Sequence, residues 1–129
     1  MSNETALEKA LALVQTLHAR TRDGRLDWRE TGDEQTFETE LADFRLRIKL
    51  TQDRDYPDEP DYKLIVFKKD SGREIERISN VTLRPVMDRT TADGLNPYAL
   101  LGETHEMARR QALRVDDALE RILETLKEE

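Results

Sequence analysis

The sequence contains no cysteine among its 129 residues. A disulfide framework and a zinc site built on thiolate ligands are therefore both excluded. No apolar run approaches the roughly 20 residues that a membrane-spanning helix needs, and the opening Met-Ser-Asn-Glu-Thr has neither the basic nor the apolar region of a signal peptide. We therefore expect a cytoplasmic protein that does not associate with membranes.

Motifs that carry chemistry are also missing. The chain has no Gly-x-Gly-x-x-Gly, no P-loop, no Gly-x-Ser-x-Gly and no His-Glu-x-x-His. Its two histidines, His18 and His105, fall on separate predicted helices. We therefore predict no catalytic residue, no metal ligand and no cofactor. The alternative that remains is a small enzyme that uses His18 or His105 for acid–base chemistry.

Negative charge exceeds positive charge, with 28 acidic and 21 basic residues and a net charge of -7. Charged residues make up 38% of the chain, against roughly 25% in typical soluble domains. An acidic balance disfavours general nucleic-acid binding, because nucleic-acid partners select basic surfaces. It suits a basic protein partner, so an acidic inhibitor or immunity-type protein that binds a basic enzyme is a further hypothesis.

The clearest pattern in the chain is the alternation Phe-Arg-Leu-Arg-Ile-Lys-Leu over residues 44–50. A period of two is typical of a β-strand with one buried face. The pattern predicts a core-facing set of Phe44, Leu46, Ile48 and Leu50. The outward-facing set is Arg45, Arg47 and Lys49. These three cations are either an anion-binding strip or the solvated side of a sheet.

A two-residue hairpin loop at residues 42–43 fixes the register with the preceding strand. The predicted pairs on the outer face are Glu40 with Arg45 and Glu38 with Arg47. Lys49 is left opposite Thr36, without a carboxylate. Pairing within the sheet therefore favours a solvated face over a binding strip.

The order of the predicted elements indicates an α+β fold in a single domain spanning residues 1–129. A helix ends near Gly24, and five strands joined by short turns follow as an antiparallel meander. The predicted strands are 26–31, 36–41, 44–50, 62–68 and 73–78. Asn96 and Pro97 begin a long helix or helix pair reaching about residue 126, with Asp116 as a candidate second cap. The helices are expected to pack on one sheet face. Residues 79–95 are compatible with a short helix or a loop.

The long C-terminal pattern carries an apolar stripe at helical spacing. Its members are Tyr98, Leu101, Ala108, Ala112, Val115, Leu119, Ile122 and Leu126. The stripe predicts a helix packed on the sheet, and it also offers a candidate dimer face.

An acidic, proline-stiffened loop at residues 53–61 superficially resembles a calcium-binding loop. It lacks the glycine at position 6 and the glutamate at position 12 that such loops need. Loops with aromatic residues are common contact sites. The candidate partner-contact residues are therefore Tyr56, Asp58, Glu59 and Tyr62.

Several segments together resemble small stand-alone bacterial or phage α+β proteins without an assigned activity. These segments are residues 24–28, the 37–50 hairpin, 63–67 with the turn 70–72, 108–113 and 115–119. The resemblance implies a bacterial or phage cytoplasmic protein and carries no catalytic residue. Taken with the missing motifs, the sequence predicts a non-enzymatic protein-binding module whose partner is an unknown protein or a second copy.

Overall fold

The computed structural model describes residues 3–52 and 60–128. Within these residues the chain forms a helix, five strands and two C-terminal helices in the predicted order, with a further short helix in the segment that the sequence left open. The helices are α1 (Asn3–Arg22), α2 (Asn80–Leu83), α3 (Pro97–Ala112) and α4 (Val115–Lys127). The strands are β1 (Arg29–Glu30), β2 (Thr36–Leu41), β3 (Phe44–Thr51), β4 (Asp61–Lys68) and β5 (Glu74–Ser79). No helix in the described part of the chain is long and apolar enough to cross a bilayer.

The strands form one antiparallel sheet in the order β1-β2-β3-β4-β5, which confirms the predicted meander. The register between β2 and β3 is also the predicted one, with Phe37 opposite Ile48 and Glu38 opposite Arg47. The two-residue loop predicts this register, because any slip by one residue would turn the apolar side chains toward water.

The hydrophobic core lies between one face of this sheet and helices α1 and α3. Alternate strand residues point into it, as the period of two requires. The most deeply buried apolar side chains are Val14, Trp28, Phe37, Ile48, Leu64, Leu83, Leu100 and Leu101. Phe44 is an exception to the predicted core-facing set. It lies at the hairpin end of β3, beyond the helices, and remains 36% exposed.

The first strand is much shorter than predicted, because a helix side chain replaces its sheet partner. The Gln111 side chain on α3 donates to the Leu26 carbonyl (2.7 Å) and accepts from the Trp28 amide (3.2 Å). The Leu26 carbonyl and the Trp28 amide are therefore bonded to α3, the Asp27 carbonyl accepts from the Thr39 hydroxyl of β2, and strand pairing begins only at Arg29. Trp28 is nonetheless buried, and its indole N–H donates to the Thr21 hydroxyl at 3.1 Å.

The segment 79–95, which the sequence left open, begins with a short capped helix. The Ser79 hydroxyl accepts from the Thr82 amide, and the Thr82 hydroxyl accepts from the Ser79 amide, which is a capping box. A turn of 3₁₀ helix at Arg84–Val86 follows. Leu83 and Val86 anchor the segment in the core.

The boundary between α3 and α4 differs from the predicted one. Asn96 caps α3 as expected, since its side chain accepts from the Ala99 amide at 2.8 Å. The chain then turns at Arg114, whose φ of 53° is left-handed, and α4 begins at Val115. Asp116 therefore lies in the first turn of α4 and is not its cap.

The β2–β3 turn holds Ala42 at a φ of 52°, a region that favours glycine. We expect Ala42→Gly to raise the free energy of unfolding by about 0.5–1 kcal/mol. The control is Ala12→Gly at an exposed position within α1, which should lower it by about 1 kcal/mol. Urea denaturation of both variants tests the turn geometry. A loss of stability in Ala42→Gly would contradict it.

Candidate functional site

Each cation of β3 lies near a carboxylate of the fold, and Glu40 is shared between Arg45 and Lys69. Arg47 Nε lies 2.8 Å from a Glu38 carboxylate oxygen, and Arg45 Nε lies 3.4 Å from one of Glu40. Both predicted pairs are therefore confirmed. The guanidinium of Arg47 also stacks over the Phe67 ring at 5.0 Å, which uses its flat face as well as its charge.

Lys49, which the sequence left without a partner, has one. Its Nζ lies 3.7 Å from a carboxylate oxygen of Asp33, in the turn before β2. Hydrogen bonds, above all from the Thr36 hydroxyl, lower the pKa of Asp33, and Lys49 adds to this effect. The prediction of an unpartnered Lys49 was wrong, because that turn folds back beside β3. The strip of cations therefore offers little charge to an anionic ligand.

The predicted contact loop lies largely outside the described residues. Tyr56, Asp58 and Glu59 fall there, so their contact role stays a prediction. Tyr62, the fourth candidate, is on β4 and is half-buried against α3. A Cβ atom added to Gly102 would lie only 3.2 Å from the Tyr62 ring.

Tyr62 belongs to an aromatic cluster under α3. Its ring centroid is 5.6 Å from that of Tyr98 and 5.7 Å from that of His105. Burial raises the pKa of Tyr62, with smaller contributions from Tyr98 and Glu106. The Tyr98 hydroxyl donates to the Pro60 carbonyl at 2.7 Å. The cluster thus joins Pro60, next to the start of β4, to α3, and Tyr62 is only partly exposed.

Each histidine is held by its neighbours in the fold. His18 on α1 is buried, and its Nε2 lies 2.9 Å from a carboxylate oxygen of Glu103 on α3. His105 is 3% exposed. Its Nε2–H donates to the Gln35 carbonyl at 2.9 Å, and its ring meets Phe37 edge-on at 5.4 Å.

The two imidazoles thus serve different contacts, one between helices and one between α3 and the turn before β2. In the described part of the chain no group of three His, Asp or Glu side chains is arranged to hold a metal ion. In the described residues each ring therefore makes a contact of its own within the fold.

Helix α4 carries four of the eight exposed large hydrophobic side chains in the described residues. None of its residues is buried. Four large side chains remain about half exposed: Leu119 (47%), Ile122 (54%), Leu123 (56%) and Leu126 (62%). Leu113, just before the helix, is 43% exposed. The exposed apolar side chains on this side of residues 113–126 are called the α4 face below. They are Leu113, Leu119, Ile122, Leu123 and Leu126.

Helix α4 is fixed to the domain mainly at its N-terminal end, against α3. The Arg110 guanidinium lies 2.5 Å from a carboxylate oxygen of Asp116, and that of Arg114 lies 2.9 Å from one of Asp117. Carboxylates in the first turn also suit the helix dipole. The helix is therefore anchored by its polar first turn, while its apolar side faces solvent.

The sequence predicted the α4 stripe and left open whether it packs on the sheet or forms a dimer face. The residues of α3 and α4 share the same apolar spacing, yet Leu100 and Leu101 of α3 are 1% exposed. The one signal in the sequence was charge: Asp116 and Asp117 interrupt the stripe where the helix restarts. Apolar area of this extent on one exposed helix is typical of an interaction surface.

A comparison of the chain with protein-family models, with curated proteins and with solved structures finds no match.

Proposed function

We propose that this protein is a non-enzymatic protein-binding module that contacts another polypeptide through the α4 face. The observation that carries the proposal is that four large apolar side chains of one helix lie about half exposed. Amphipathic helices commonly bind by laying such a face into a complementary apolar groove.

Burial of the α4 face supplies the driving force. Full burial of one Leu or Ile side chain contributes about 1.5–3 kcal/mol. Since roughly half of each side chain is already covered, the four together contribute about 3–6 kcal/mol. Association costs of about 4–15 kcal/mol oppose this gain, so a tight complex requires that the partner bring its own apolar surface.

The acidic-inhibitor hypothesis differs in its salt dependence. A contact made by charge weakens steeply as salt is added, whereas one made by apolar burial does not. The described acidic side chains include several that already pair with cations, among them Glu38, Glu40, Glu74 and Glu106. This internal pairing favours the apolar contact over an acidic one. The small-enzyme hypothesis for His18 or His105 would instead require that replacing both rings abolish a biological effect.

Affinity capture from native lysate tests the proposal. The full chain, its Leu119→Gln/Ile122→Gln variant and its Glu120→Gln/Arg121→Gln variant serve as baits. The second variant places the same two residues on the polar side of α4 and keeps the net charge, so it is the matched control. We expect a specific partner to bind the full chain and the control, to be lost from the first variant, and to stay bound at about 0.5 M salt.

Two results would contradict the proposal. One is a partner that binds all three baits equally, because the contact would then lie elsewhere. The other is a monomer that captures no partner at all. A partner released by moderate salt would instead support the acidic-inhibitor hypothesis.

A further inference from the structure

The apolar residues of α4 form a seam that is symmetric under reversal. Val115, Leu119, Ile122 and Leu126 follow at intervals of four, three and four residues, the spacing of a and d positions in a coiled coil. Read from either end, this spacing is the same. A second α4 running in the opposite direction therefore meets the first in register, with Leu119 opposite Ile122 and Val115 opposite Leu126.

The charges beside the seam also suit a reversed copy. Asp116, Leu123 and Lys127 project on the same side of the seam, with the two charges at opposite ends of α4. In an antiparallel pair, positions on the same side of each helix face one another. Asp116 of one copy, which also pairs with Arg110 of its own chain, then lies beside Lys127 of the other, and the twofold axis gives two such contacts.

A parallel pair would be electrostatically unfavourable. It would bring Asp116 and Asp117 of both copies together at one end of the pair. It would also bring together two domains that each carry a net charge of -7, and self-repulsion between them would oppose association. Reversal places the domains at opposite ends and lets the two helix dipoles attract.

The other side of the seam is formed by small side chains, Ala118 and Thr125. They permit close approach of the two helix backbones and add no like-charged pair. A helix of 13 residues is about 20 Å long, so a contact between two such faces alone is smaller than the roughly 1,000 Å² expected of a stable interface. The pair is thus expected to be weak and to depend on protein concentration.

From these observations we propose that α4 pairs with α4 of a second copy of this chain, antiparallel, about an axis between Glu120 and Arg121. The proposal rests on the proposed function, since it names the partner of the same α4 face. It goes further in fixing the occupant, the direction and the register.

Sedimentation equilibrium of the purified full chain, over about 1 μM to 1 mM, tests the pairing. We expect a monomer–dimer equilibrium with a dissociation constant in the micromolar range or weaker. Leu119→Gln/Ile122→Gln should weaken it at least tenfold, whereas Glu120→Gln/Arg121→Gln should leave it unchanged. Circular dichroism checks that each variant is folded.

The direction of pairing can be read by introducing cysteines, since the chain has none of its own. A disulfide needs Cα atoms about 4.4–6.8 Å apart. In the antiparallel pair Val115→Cys links only to Leu126→Cys, because two copies of position 126 lie about 16 Å apart along the axis. We therefore expect crosslinks when the two single variants are mixed and none when either is oxidised alone.

Three results would overturn the pairing: a monomer at every concentration, a dimer that persists in Leu119→Gln/Ile122→Gln, or crosslinks within a single variant. The first of these leaves the proposed function standing if the capture experiment finds a different partner that depends on the α4 face. A monomer that also captures no partner through this face would remove both.

Discussion

Leu64→Ala is expected to lower the free energy of unfolding by about 2–5 kcal/mol, the range for truncating a buried leucine. Leu64 is fully buried in β4, between Ile48 on β3 and Ile78 on β5. Its removal would leave a cavity that two neighbouring strands cannot close without breaking their hydrogen bonds, since sheet backbones are tied on both sides.

The matched control makes the same deletion on α4. Leu123 is 56% exposed, and Leu123→Ala is expected to change the free energy of unfolding by less than about 0.5 kcal/mol. Urea denaturation, followed by fluorescence of the buried Trp28, measures both variants. The protein concentration must be low enough that the molar mass from light scattering is that of the monomer. Only folding within one chain is then measured.

The test is the difference between the losses in free energy of unfolding caused by Leu64→Ala and by Leu123→Ala. If Leu123→Ala cost as much as Leu64→Ala in the monomer, α4 would belong to the core of its own domain. Neither the proposed contact through the α4 face nor the pairing of two copies could then hold.

Acidification from pH 7 to pH 5 is expected to destabilise the protein through His105. Burial lowers the pKa of this imidazole, and the opposing effects of the Gln35 carbonyl and Glu106 do not cancel that shift. The unfolded chain therefore takes up a proton near pH 6.5, while the folded chain does so only at lower pH. The stability that the neutral ring contributes is complete above pH 6.5 and is lost as pH falls through the folded pKa.

In this pH range the effect of His105 on stability can be distinguished from that of the carboxylates. Hydrogen bonds, chiefly from Lys69 to Glu40 and from Arg77 to Glu74, lower the pKa of those two groups. Their contribution is therefore lost only below about pH 4.5. Between pH 7 and pH 5 we therefore attribute the change in the free energy of unfolding with pH to His105.

His105→Gln removes the titrating ring and keeps a side-chain N–H for the Gln35 carbonyl. We expect this variant to lose less stability than the parent between pH 7 and pH 5, measured as the change in urea midpoint. The control is His18→Gln, which leaves His105 in place. We expect its urea midpoint to change between pH 7 and pH 5 as much as that of the parent. Equal slopes in the parent and in His105→Gln would contradict the role assigned to this burial.

His105→Ala tests the packing of the same ring at constant pH. The truncation leaves a cavity beside Phe37 and the Gln35 carbonyl without its donor. We expect a loss of about 2–4 kcal/mol at pH 7.5, compared with a much smaller loss in His105→Gln. A loss equally large in both variants would show that ring packing outweighs the hydrogen bond.

The sheet was predictable from sequence, because the patterns that determine it lie within the strands and the short turns between them. Strict alternation in β3 and a two-residue loop at residues 42–43 determine both the strands and their register. The pairs Glu38–Arg47 and Glu40–Arg45 follow from that register without any knowledge of the helices. The limits of β1 did not follow, because its competitor for hydrogen bonds, Gln111, lies far along the chain on α3.

The C-terminal apolar stripe is buried in α3 and exposed in α4, and the sequence by itself could not determine this difference. Periodicity fixes which side of a helix is apolar, and it did so correctly for α3 and α4. Whether that side is buried depends on a second surface opposite it, and only the tertiary structure decides this. Leu101 of α3 meets the sheet and is 1% exposed, whereas Leu119 of α4 lies beyond the sheet and is 47% exposed. The same apolar pattern is therefore core in one helix and a free contact surface in the next.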